Sequence, residues 1–231
     1  MAKRRDGIET RERILTVACE VFADKGYHEA TVEDICTRAG TNIAAINYHF
    51  GSKDQLYAQV WRRAFDEANA AYPPEGGLKA DAPAEDRLRG TIHSLVGQAV
   101  NPGRIGHAGK LLLQEIVHPT DVIEHVKHDA LGPLQQRMKA LMRELLGPEA
   151  PEGQLLLCTM SVVHQCMTIG IHLFTGRMPP HVRLDMPSEE LVEILTDHID
   201  RFSLAGVKAV RNSIKAGRKR QPSRMTVPFR E

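Results

Sequence analysis

An all-α protein built from two helical parts is what this sequence predicts, and three observations carry that reading. Apolar residues recur with helical period in nearly every segment, no strand signals or internal repeats occur, and the breaks fall at glycine and proline. The chain has 231 residues, 42% of them hydrophobic, which suffices for one sizeable core or two modest ones.

The elements follow in chain order. "TRERILTVACEVFADKGY" reads as a helix from a Thr10 cap to a stop at Gly26, with Ile14, Ala18, Val21 and Phe22 as its apolar stripe. "TVEDICTRAG" opens on a capping box, Thr31 with Asp34, and closes at Gly40. A turn of about three residues leads to "TNIAAINYHF". In that helix Ile43, Ile46 and Phe50 share one face, which is expected to pack on Ile35 and Ala39. Ser52, with Gln55 as partner, caps a helix that runs to Pro73-Pro74. Residues 73–83 read as a linker or loop. Helices are then expected over 84–100, 107–118, 120–146, 153–174 and 188–213, with Gly132-Pro133 kinking or splitting the third of these. The tail from Lys215 has little apolar content and is expected to be disordered.

Charge is unevenly spread. Residues 1–67 hold 10 Lys/Arg against 11 Asp/Glu, and residues 208–231 hold 8 against 1, so the tail is basic and the middle mildly acidic. Lys215, Arg218, Lys219, Arg220 and Arg224 read first as a solvated run, with nonspecific DNA contact as the alternative. Cys19, Cys36, Cys158 and Cys166 form no CxxC pair and sit in apolar helical patterns, as buried thiols of a reducing compartment do. From the charged N-terminus, with no apolar run after it, no signal peptide is expected. Residues 155–174 lack formal charge over a membrane-length run but include His164, Gln165 and His172, which favours a soluble helix buried on several sides. A cytoplasmic protein without a membrane span is expected.

Two short helices joined by a glycine-containing turn form a helix-turn-helix unit. In that unit the second helix enters the major groove of DNA, and its free face here is uncharged. Ala44 and Ala45 are small enough for close approach, and an alanine methyl can meet a thymine methyl. Asn42 and Asn47 can read adenine or contact phosphate, and Tyr48 and His49 can donate to phosphates. Helix N-termini at Thr31 and Thr41 offer backbone N–H groups to phosphate, and Lys53 adds a positive charge. Lys3, Arg4 and Arg5 sit on an N-terminal arm, while Glu12, Glu20 and Asp24 can face away. A neutral protein-binding surface is the alternative reading of the same face, making the chain a helical adaptor.

The stretch from Thr10 to Leu56 resembles the DNA-binding domain of the tetracycline-repressor (TetR/AcrR) family. The resemblance rests on F-x-x-K-G-Y, T-V-x-D-I-x-x-x-A-G, the closing Y-H-F and G-S-K-D-x-L. It implies an all-helical homodimer that represses transcription from a palindromic operator until a small molecule binds its C-terminal domain. By position it implies DNA contact at Thr31, Thr41, Asn42, Ala44, Ala45, Tyr48, His49 and Lys53, with Asn47 standing where members often carry Tyr. "GKLLLQEIVHPT" and "VVHQCMTIG" are similar to the subgroup typified by the CecR dual regulators, with His164 where Gly is usual. A dual activator and repressor is therefore a second reading.

The domains expected are residues 1–56 as the DNA-binding unit with a linking helix to about 72, residues 84–213 as the effector-binding and dimerisation unit, and 214–231 as the tail. An effector pocket should be apolar with a few convergent polar groups. Candidate lining residues are Leu112, Leu113, Glu115, Ile116, His118, Met160, His164 and Met167. Glu115-x-x-His118 and His125-x-x-His128 hold ligand-type side chains, but nothing supplies a third and fourth ligand, so no metal and no cofactor are expected. The dimer interface is expected on 153–174 and on the stripe Leu191, Ile194, Leu195, Ile199 and Phe202. No G-x-S-x-G, P-loop or H-E-x-x-H motif occurs, so no catalytic residue is assigned and the chain is not read as an enzyme.

Overall fold

The computed structural model describes residues 2–101, 103–176 and 186–217, with side chains from residue 6 onward except at 174. Nine α-helices and two short 3-10 turns account for the described residues, without a strand among them. They form two compact units, and the chain passes between these units more than once: Met1–Ala71 joins Asn101–Gly132, and Tyr72–Val100 joins the part from Pro133 onward. The helical segment around residues 107–118, expected in the second half, thus belongs with the first helices.

In the first unit α1 spans Ala2–Glu29, α2 Val32–Ala39, α3 Ile43–Phe50 and α4 Lys53–Ala71. Helix α1 starts well before Thr10 because nothing in "KRRDGIE" stops a helix, so Lys3, Arg4 and Arg5 lie on helical backbone and not on an arm. Its stripe is as expected: Ile14, Ala18, Val21 and Phe22 are all buried. Gly26 interrupts α1 with φ 73° and ψ 176°, after which one further turn continues to Glu29. A β-carbon at Gly26 would stand 2.9 Å from Gln114 Oε1, so glycine meets both a backbone and a space requirement there.

Thr31 forms the expected box: Asp34 N–H donates to Thr31 Oγ1 at 3.0 Å, and Thr31 N–H donates to Asp34 Oδ2 at 3.1 Å. Gly40 ends α2 in the left-handed region, φ 59°, with its N–H on the last carbonyls. The rest of the unit is α6, His107–Val117, and the start of α7, Glu124–Leu146. Leu111 of α6, Ile123 just before α7 and Val126 within it join Phe22, Ile35, Ile46, Leu56, Tyr57 and Trp61 in one core.

In the second unit α5, Ala84–Val100, packs on α8, Glu152–Thr175, and α9, Ser188–Gly217. Leu88, Ile92 and Val96 of α5 share a core with Met138, Leu141 and Met142 of α7, with Leu155, Val162 and Cys166 of α8, and with Leu191, Ile199 and Val207 of α9. Residues 73–83 are more than a linker. A 3-10 turn at Pro74–Gly77 is pinned to α5, Ser94 Oγ donates to the Gly90 carbonyl at 2.8 Å and accepts from Gly76 N–H at 3.4 Å, and Gln98 Nε2 donates to Tyr72 O at 3.1 Å. Arg87, buried, pairs with Glu75 at 3.5 Å and with Glu144. Pro133 does not split the expected 120–146 segment: the helix begins at Glu124 and contains Pro133. Helix α9 runs to Gly217, so Lys215 is helical, while Arg218, Lys219, Arg220 and Arg224 lie outside the described residues.

Helix α8 differs from expectation. Glu152–Leu173 is long and apolar enough to cross a membrane by length and composition, yet only one stripe is buried, Leu155, Cys158, Val162 and Cys166. Leu156, Leu157, Met160, Ile171 and Leu173 are exposed. The expected α9 stripe also divides: Leu191 and Ile199 enter the core of the unit, while Ile194 and Phe202 are exposed, 49% and 64%. The period marks which residues are apolar, and α5 is wide enough to cover only part of each stripe.

Candidate nucleic-acid interface

Helix α3 is held by two anchors, Ile46 and Phe50, both buried among α1, α2 and α4. The Arg11 guanidinium lies over the Phe50 ring, 5.2 Å from its centroid. Ile43, grouped with these anchors by helical period, is 46% exposed. A first-turn side chain leans back past the start of its helix, beyond the reach of α2.

The cap of α3 is Asn42, one residue later than expected: its Oδ1 accepts from Ala45 N–H at 2.9 Å. With Oδ1 so engaged, Asn42 faces outward as an Nδ2 donor, which suits a phosphate better than bidentate reading of adenine. The N–H groups of Ile43 and Ala44 have no acceptor within the helix. Thr31, Asn42, Ala44, Asn47 and Tyr48 are exposed, Tyr48 at 84%, and Thr41, Ala45, His49 and Lys53 are half-buried. All nine predicted residues thus have surface, and none of the six from Asn42 to His49 other than Ile46 and Ile43 carries a large apolar group inward.

The charges around this face are arranged in pairs. Glu20 binds Arg38 at 2.6 Å, Asp24 binds Lys110 at 3.2 Å, and Glu12 binds Arg63 at 2.8 Å. Three of the acids of the N-terminal part, Glu12, Glu20 and Asp24, are thus each paired with a base, which engages those bases as well. Lys25 pairs with Asp34 at 2.9 Å, and this ammonium together with the Thr31 cap holds the Asp34 carboxyl down to about 2. Lys53 rests over the Tyr27 ring at 4.4 Å, and burial lowers its affinity for the proton. Tyr27 in turn donates to Asp54 Oδ1 at 2.5 Å, and its own pKa is pushed up to about 12, mainly by burial. Lys53 is thereby held at the start of α4 and is not a freely rotating point charge.

The eight candidates for an effector pocket are not brought together within either unit. Leu112, Leu113, Glu115, Ile116 and His118 lie in the first, Met160, His164 and Met167 in the second. Glu115 is buried and fully engaged: Tyr57 Oη donates to it at 2.9 Å, Thr120 N–H at 3.0 Å, Thr120 Oγ1 at 2.9 Å, and Lys127 Nζ lies 3.4 Å away. It joins α6 to α4 and is a structural carboxylate: Thr120 is five residues on, but Tyr57 stands 58 residues earlier and cannot be read locally. Ile116, His118, Met160 and His164 are exposed. A polar cavity of about 340 Å³ in the first unit is bounded by Asp24, Lys25, Tyr27, Tyr57, Gln114 and His118, so one predicted residue lines it. The four cysteines are buried free thiols, and burial pushes Cys19 and Cys166 up to about 12.

Comparison with known proteins matches two segments of the chain, the second of which runs through both structural units. Residues 14–60 match the bacterial regulatory proteins of the tetR family, and residues 84–207 match the C-terminal domain of the HTH-type transcriptional dual regulator CecR. CecR of Shigella flexneri is 25% identical over 210 residues, 84% of this chain and 91% of that protein. The transcriptional activator FasR of Mycolicibacterium smegmatis is 35% identical over 86 residues, 37% of this chain but only 38% of FasR. A TetR-like transcriptional regulator from Rhodococcus shares the fold, with TM-score 0.62 at 18% identity over 86% of this chain and 96% of that one.

Proposed function

Since the chain belongs to the TetR family of bacterial regulatory proteins, with a CecR-type C-terminal domain, and so is a DNA-binding transcriptional regulator, we propose that it is a cytoplasmic repressor. It binds a palindromic operator as a homodimer and is released by a small molecule. The observation that carries this reading is the outer face of α3, uncharged but rich in exposed donors and small side chains. In the docked state Ala44 and Ala45 let α3 approach the groove floor, and Asn47 reaches base edges. Asn42, Tyr48, His49, Thr31, Thr41 and Lys53 hold phosphates.

Exposed Leu156, Leu157, Met160, Ile194 and Phe202 support dimerisation through α8 and α9, since a bare apolar face of this size is costly in water. Two copies of α3 would then sit about 34–36 Å apart, one turn of duplex, or at a multiple of it. Effector binding at Leu112, Leu113, Ile116 or His118 of the first unit, or at His164 or Met167 of the second, would favour a state with the two copies of α3 mis-spaced. A 100-fold release needs about 2.7 kcal/mol of coupling.

Footprinting on the DNA upstream of its own gene tests the reading. A protected palindrome, with affinity falling steeply as salt rises, is the expected result. Affinity indifferent to salt and no protected site would favour the adaptor reading. FasR is named an activator and CecR a dual regulator, so transcription in vitro with and without the protein decides the sign of control.

A further inference from the structure

We propose that Ile43 is a specificity-determining residue that reads the 5-methyl group of a thymine at one position in each operator half-site. The inference rests on the DNA-binding reading of α3 and deepens it. Ile46 and Phe50 are 0% and 3% exposed, whereas Ile43, three residues before Ile46 and on the same apolar face, is 46% exposed and contributes nothing to the core. Its neighbours Asn42, Ala44 and Asn47 are exposed as well. Ile43 therefore sits at the leading end of the helix that meets the duplex.

What could meet it there is limited by chemistry. Phosphate oxygens and most base edges reward donors or acceptors, and an isoleucine side chain has neither. The apolar group of the major groove is the thymine methyl. Asn42 Oδ1 is committed to the Ala45 N–H, so the polar groups left beside Ile43 are donors, which suit phosphate and leave the base edge in front of the isoleucine unclaimed. Ala44, the next residue, is small enough to leave the methyl room beside the isoleucine.

The test has two arms, both on the full-length protein. Binding sites are selected from randomised duplex DNA with wild type and with Ile43→Ala. One symmetric pair of thymines should be required by wild type and not by the variant. Those thymines are then replaced by deoxyuridine, which removes only the methyl. Wild type should lose roughly four-fold per half-site, the worth of one buried methyl group, while Ile43→Ala should bind both duplexes equally. Equal wild-type binding to the thymine and deoxyuridine duplexes overturns the proposal, and this arm needs no variant to fold. An unchanged selected motif with a folded Ile43→Ala overturns it too. Failure of wild type to enrich any duplex overturns the DNA-binding reading itself, and this inference with it.

Discussion

Helices α3 and the central part of α8 share one conspicuous property, the lack of any formal charge over residues 42–50 and 155–174, but their outer faces are made of different material. On α3 the exposed groups are asparagine, tyrosine and alanine, with Ile43 as the lone large aliphatic; on α8 they include Leu156, Leu157, Met160, Ile171 and Leu173. The first face offers donors and clearance, which suit a polar, structured surface such as a duplex. The second offers mostly apolar area, with Ser161, His164 and Thr168 among it, and suits another apolar face. Missing charge is thus one signal with two meanings, and the exposed side chains separate them.

The contrast is broken most sharply by placing a carboxylate on the apolar face. Leu157→Glu should convert the dimer to monomer by sedimentation, and operator affinity should fall by about 10²–10⁴-fold as the second half-site contact is lost. A dimeric Leu157→Glu protein would show that α8 faces something other than its copy. Next in size is a change that touches neither face. Glu115→Ala strips the acceptor from Tyr57 and Thr120 and should lower stability by about 2–4 kcal/mol in denaturant unfolding, with the dimer intact. On α3 the carboxylate gives the opposite pattern from α8: Asn47→Glu should leave a dimer but reduce operator affinity by about 10- to 100-fold, through a lost base contact and repulsion from phosphate. Lys53→Ala should weaken binding a few-fold for all sequences and lower the slope of log affinity against log salt by about 1.

The smallest effect concerns acid. Asp34 has its folded pKa depressed to about 2, so its contribution to stability is present above the ordinary carboxylate range and is lost as pH falls from about 4 towards 2. Asp34→Asn should flatten that part of the stability profile in acid titration. An unchanged profile would mean that the Lys25 and Thr31 contacts are not kept in solution.

What could be read from the residues alone was local. The period of Ile14, Ala18, Val21 and Phe22, the Thr31–Asp34 box and the Gly40 stop each depend on neighbours within a turn or two, and each is as expected in the folded chain. The surface residues of α3 were legible for the same reason, since one short helix carries them. Ile43 was not, because helical period tells which side a residue is on and not how far the neighbouring helix extends. Glu115 was misplaced because an acid inside an apolar run suggests a ligand anchor, while its partner Tyr57 stands 58 residues earlier. The start of α1 was missed because a capping threonine is a permitted start and not an obligatory one. The two sides of α9 were read as one stripe, since nothing in it says how much of it α5 will cover.

Gly26 ties two segments of the first unit together through an empty space. Where a side chain would stand, Gln114 of α6 lies within 2.9 Å, and its amide nitrogen reaches Asp24 O at 3.4 Å. Enlarging residue 26 would therefore strain the left-handed backbone at the bend itself, while the tip of Gln114 can swing clear and leave Glu115 undisturbed. A tolerance map of the chain should show position 26 closed to other residues and position 114 open to change.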